Sequence, residues 1–173
     1  MLPDFIENTS TRLQQAGYCV DTHPDTAGVP ALLYARSPSR FRLGFAKVED
    51  HFLFTDWERA AYSRLDLLLS HYQLFSTFAN QGFRVPHALR MQIPNLALVA
   101  ISETGFAPEA VSFARGTYLN PWYGGETGQL VLIDLQQRQV IHHRKPTSRT
   151  PGAFPLAHAV EVLQTACQMG SAR

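Results

Sequence analysis

The sequence predicts an α+β domain: an antiparallel or mixed sheet of about five to six strands, with a long helix from the middle of the chain and helices from both ends packed on it. Three observations carry this expectation. Ala61, Leu65, Leu68, Tyr72, Phe75 and Ala79 step by four and three along one helical face. Leu96 to Ser102, LALVAIS, is apolar at almost every position, as a central strand buried on both faces is. Helical patterns at the two ends and in the middle are separated by strand patterns without regular alternation, which argues against a doubly wound sheet.

The elements follow in order. Leu2, Phe5, Ile6, Thr9, Leu13 and Ala16 recur at helical spacing, so a first helix runs from about Pro3 to Ala16 and stops at Gly17. Breakers fill Asp21 to Pro30 and predict a loop. Ala31 to Ala35 is a short apolar strand. Phe41 to Val48 alternates, and His51 to Thr55 follows it; a tight turn at Glu49-Asp50 would make the two a hairpin. The long helix covers about Glu58 to Gln81 and ends at Gly82, with Asp56 placed to cap it. Arg84 to Pro94 is an irregular lead-in to the central strand. Phe106 to Ala114 reads as a short helix, Leu130 to Leu135 and Gln139 to Arg144 as a hairpin, and Phe154 onward as a last helix with Leu156, Val160, Leu163 and Cys167 on its stripe. Residues 1–173 are expected to form one domain, with a flexible tail after about 169.

Composition narrows the function. The chain has 173 residues, 15 basic and 14 acidic side chains and a net charge of +1, so nothing in its charge points to nucleic acid or an anionic membrane. No apolar run approaches the about 20 residues that span a bilayer, and the first residues lack a signal peptide's plan, so the cytoplasm is expected. Charged residues make up 17% of the chain, and Leu67, Leu74 and Phe78 form a second apolar set on the long helix; together these predict a homodimer. Cys19 and Cys167, with no CxxC, are expected to be free thiols. No phosphate-loop, dinucleotide, metalloprotease or nucleophile-elbow motif occurs, and no cofactor is expected.

The densest chemistry lies in Arg115 to Gly128, RGTYLNPWYGGETG. Tyr118, Trp122 and Tyr123 are rigid amphipathic rings suited to a protein partner or a small polar ligand, and Arg115 suits a carboxylate or phosphate. The leading expectation is a non-catalytic binding or adaptor protein working through this loop. The alternative is an enzyme acting on a small polar or sugar-like substrate by acid–base chemistry, with Glu126 and His143 as proton carriers, Arg115 holding substrate charge and Trp122 as a stacking wall. Glu126 paired with Glu103 or Asp134 would be the carboxylate pair that glycosidase chemistry needs. A metal site is the least favoured reading. It would need His51 and one of His142 or His143 on adjacent strands, with Asp56 or Glu126 completing the set. His87 and Ser102 are weaker candidates for a base and a nucleophile.

Overall fold

The computed structural model of the chain describes residues 1–26, 28–38, 40–41, 47–58, 65–80, 92–116, 127–143 and 155–169. The chain runs α1 (Leu2–Gln15), β1 (Cys19–Asp21), β2 (Ala31–Arg36), β3 (Arg40–Phe41), β4 (Lys47–Asp56), α2 (Leu65–Asn80), β5 (Gln92–Ser102), α3 (Pro108–Gly116), β6 (Thr127–Asp134), β7 (Gln139–Ile141) and α4 (Pro155–Met169). This is the expected α+β fold, a mixed sheet with helices packed on it.

Six strands lie side by side in the order β1-β2-β4-β5-β6-β7, and β3 pairs with β4 off that path. The centre is parallel: β4 pairs with β5 from Lys47↔Gln92 to Asp56↔Ile101, and β5 with β6 from Asn95↔Thr127 to Ser102↔Asp134. The flanks are antiparallel, β1 with β2, β2 with β4, and β6 with β7. The stretch β4-α2-β5-α3-β6 therefore does alternate, and the strand order advances one step at each crossover. Right-handed crossovers that advance in one direction place both helices on one face.

The two cores show that arrangement. Along β4 and β5, Phe52, Phe54, Ala97, Val99 and Ile101 point to one face, where they meet Phe5 and Leu13 of α1 and Val160, Leu163 and Cys167 of α4. Leu53, Leu96, Leu98 and Ala100 point to the other, against Leu68, Tyr72 and Phe75 of α2 and Ala110 and Ala114 of α3. Successive strand side chains face opposite ways, so a strand covered on both sides is apolar throughout. Leu96 to Ile101 is fully buried, as the unbroken LALVAI run predicts. Full burial of Phe52, Phe54 or Phe75 contributes roughly 2–3 kcal/mol each.

Several boundaries differ from the sequence expectation. Cys19 to Asp21 is a strand; it is held by pairing with Arg36, Ala35 and Tyr34, and three residues are too few to display a period. Glu49-Asp50 is not a turn. Both residues lie inside the continuous strand β4, and the hairpin partner of its first residues is β3, through Arg40↔Val48 and Phe41↔Lys47. The end of the irregular lead-in, Gln92 to Pro94, already pairs with β4. Gly17, at φ +86°, ends α1 as expected, and the Tyr18 N–H reaches back to Leu13 O at 2.9 Å. The start of the long helix and its stop at Gly82 lie outside the described residues, so Asp56 is seen at the end of β4 with its Oδ1 accepting the Glu58 N–H at 3.0 Å.

Candidate functional site

Polar side chains gather where β4, β5 and β6 begin and β2 ends. Strand alternation sorts them onto the two faces. On the α1/α4 face, Asp50 Oδ1 accepts from Asn95 Nδ2 at 2.8 Å, and the Asp50 backbone N–H donates to Ser37 Oγ at 2.9 Å. The Ser37 N–H returns a bond to Asp50 O at 2.9 Å. Asp50 and Asn95 are direct partners in the parallel register, and both are buried. Burying a polar side chain costs free energy unless it is hydrogen-bonded, and the Asn95 amide supplies such a bond to Asp50. This group ties three strands together.

On the α2 face, Tyr34, Arg36, Glu49 and His51 form a line from core to rim. Tyr34 Oη lies 2.6 Å from His51 Nδ1, His51 Nε2 lies 3.4 Å from Glu49 Oε2, and Arg36 Nε lies 3.8 Å from Glu49 Oε1. His51 is 3% exposed, whereas half of the Arg36 side chain meets solvent. Burial, opposed by Arg36 and aided by Glu49, pushes the Tyr34 phenol up to about 12. At neutral pH that phenol keeps its proton, and it shares a hydrogen bond with Nδ1 whose direction follows the His51 tautomer, while Nε2 faces Glu49. Nε2 makes no hydrogen bond of good geometry among the described residues. Phenol, imidazole, carboxylate and guanidinium thus stand in sequence, and of the four only the guanidinium is well exposed, with Glu49 buried beneath it.

The opposite end of the sheet holds a second polar knot. Glu58 Oε1 accepts from Ser102 Oγ at 2.5 Å, Glu103 N at 2.9 Å and Thr104 N at 3.2 Å. Burial works to raise the Glu58 carboxyl, but the bonds from Ser102 and Thr104 outweigh it and hold it below its ordinary value. This carboxylate organises the turn after β5. Ser102 is bound into the same turn through Gly105, so the nucleophile reading has nothing to support it there.

Of the residues expected to carry function, Tyr118, Trp122, Tyr123 and Glu126 lie outside the described residues, as does His87. Arg115 is exposed in the last turn of α3 and borders a cleft of about 350 Å³ together with Arg138 and His142. His143 is half-buried just beyond β7, and its carbonyl lies 2.9 Å from His142 Nδ1. The two-histidine metal set does not assemble. His51 is on β4 and His142 follows β7, with β5 and β6 between them, so about 14 Å of sheet separates their strands. Because Glu126 lies outside the described residues, the expected carboxylate pair with Glu103 or Asp134 does too.

The Tyr34–His51–Glu49–Arg36 line was not foreseen. Its signal was in the sequence, as charged residues inside a stretch that otherwise reads as strand, KVEDHFLFTD, but Glu49-Asp50 resembles a turn as closely as it does a buried polar pair. No protein-family model, curated protein or solved structure matches the chain, so its chemistry is read from this geometry.

Proposed function

We propose that the protein is an enzyme acting on a small polar or sugar-like substrate by acid–base chemistry at the end of the sheet where β4 begins. The supporting observation is the Tyr34–His51–Glu49–Arg36 line, in which a buried carboxylate lies between an exposed guanidinium and a buried imidazole, with a half-buried phenol behind them. Glu49 exchanges the proton with substrate. His51 orients that carboxylate and adjusts its basicity through Nε2, and Tyr34 holds the His51 ring through Nδ1. Arg36 binds a negative or strongly polar substrate group at the mouth. Asp50, Asn95 and Ser37 hold the strands in register beneath it. The adaptor reading rested on Tyr118, Trp122 and Tyr123; the described geometry gives its support to the acid–base reading.

A panel of chromogenic glycosides, esters and phosphoesters tests this. Turnover of a panel member should fall by about 10²–10⁴-fold in Glu49→Gln. Arg36→Ala should raise KM with a smaller change in kcat. Turnover unchanged in Glu49→Gln, or no panel member cleaved above the uncatalysed rate, would count against the proposal.

We further infer a homodimer through α2, placed in the cytoplasm. Leu67 and Leu74, seven residues apart on one helical face, are 40% and 41% exposed, and Phe78 is only partly covered. Cys19 and Cys167 are unpaired, which suits a reducing compartment. Sedimentation at micromolar concentration should give twice the chain mass, and Leu67→Glu with Leu74→Glu should give the chain mass. A wild-type monomer would refute the dimer.

A further inference from the structure

The outer edge of β7 is the last edge of the sheet, and among the described residues no strand pairs with it. Beside it runs the cleft of about 350 Å³, which touches every residue from Arg138 to His142. A cleft that meets all three residues of β7 and the residue on either side of it meets the backbone and not one face of side chains, because strand side chains alternate. Unpaired strand N–H and C=O groups are a template for another strand.

The walls are suited to such a guest. Gln164 and Gln168, one turn apart on α4, stand on one side, and Arg115 of α3 stands on the other. Carboxamides both donate and accept, as a peptide backbone requires. Arg115 and Arg138 are exposed, and neither guanidinium makes an ion pair among the described residues. Asp134 is buried nearby, where its Oδ1 accepts the Gln137 N–H at 2.8 Å. Among the described residues no carboxylate lines the cleft.

Arg138 also takes a left-handed backbone, at φ 53°. A residue with a Cβ holds that conformation against a steric penalty that glycine avoids. An arginine there presents its side chain at the mouth of the cleft in spite of the local backbone preference.

We propose that this edge binds an extended acidic peptide segment by strand addition: the β7 backbone pairs with the peptide backbone, and Arg115 and Arg138 take its carboxylates. This site is separate from the Glu49 line, with β5 and β6 between their strands, so it stands whether or not the catalytic proposal holds.

Fluorescence anisotropy with a labelled heptapeptide of alternating glutamate and valine tests it. The same peptide N-methylated at alternate amides, its lysine–valine counterpart, and inorganic phosphate as a competitor complete the set. Arg115→Ala with Arg138→Gly is the variant; both side chains are exposed and glycine suits the 138 backbone, so its melting curve should match wild type. The acidic peptide should bind, with at least tenfold weaker binding in the double variant and on backbone methylation, and the lysine peptide should not bind. No binding of the acidic peptide up to about 1 mM would overturn the proposal. So would undiminished binding of the methylated peptide, or displacement by phosphate alone, since each marks simple anion adsorption. Unchanged affinity in the double variant would overturn the assigned arginines.

Discussion

At Gly128 the chain passes directly beneath the ring of Tyr72, so close that a methyl group on this Cα would overlap the phenol. Gly128 lies opposite Leu96 near the start of β6, on the face that α2 covers. The absent side chain lets α2 settle onto the sheet. Gly128→Ala should destabilise the protein by about 1–3 kcal/mol, since neither the ring nor the strand can yield cheaply. Adding Tyr72→Leu should remove most of the overlap, so the double variant should lose less than the sum of the two single losses in urea unfolding.

Tyr34 gives an alkaline signature. Its folded value near 12 exceeds the ordinary 10.0, so the native state holds a proton that the unfolded chain releases between those values. The contribution is fully present below pH 10 and is lost as pH rises toward 12. Two units correspond to about 2.7 kcal/mol, and the partial exposure of the ring reduces the expected figure to about 1–2 kcal/mol. The stability difference between wild type and Tyr34→Phe should narrow by that amount across this window in denaturant titrations at stepped pH.

Glu58 gives an acid signature of the opposite sign. Its carboxyl is held below the ordinary 4.5, so its stabilisation is present above that pH and is lost as pH falls through the lowered value. The side chain is mostly exposed, which limits the gain to about 1 kcal/mol or less. Wild type should exceed Glu58→Gln in stability at neutral pH, and the difference should close on acidification below 4.5. A thermal melt series across that range checks it.

The two thiols should separate cleanly. Cys19 is exposed on β1, whereas Cys167 is buried in the core beneath α4. Burial, joined by the nearby Asp134 and opposed by Arg138, pushes the Cys167 thiol up. A chromogenic disulfide reagent should titrate one thiol in native protein and both in denaturant. Two fast thiols in the native state would contradict this burial.

Periodicity made the helices and the central strand legible. Leu68, Tyr72 and Phe75 are buried as their spacing requires, and Leu96 to Ile101 is buried on both faces. What periodicity does not encode is pairing across distance. Glu49-Asp50 looks like a turn in sequence, yet inside β4 Asp50 meets Asn95 from a strand 45 residues further on, and Glu49 meets Arg36 and His51. The parallel centre was hidden for the same reason, because direction is fixed by which strands become neighbours. Of the expected site, Arg115 borders a cleft that His142 lines in place of the expected His143, while the rings of the aromatic loop fall among residues that are not described.

α1 and α4 pack on each other and on the same face of the sheet. Phe52, Phe54, Val99, Ile101, Val131 and Ile133 lie under that cover, of which α1 is made first and α4 last. Synthesis proceeds at about 5–20 residues per second, so roughly 2–7 seconds pass between Ile133 and Cys167 leaving the peptidyl-transferase centre. For that interval only α1 is there to cover this face, and the part that Val160, Leu163 and Cys167 will bury stays bare on a tethered chain. A nonsense codon anywhere before the last helix would leave that surface permanently exposed, which makes aggregation or proteolysis, and not a folded protein of reduced function, the expected fate of the product.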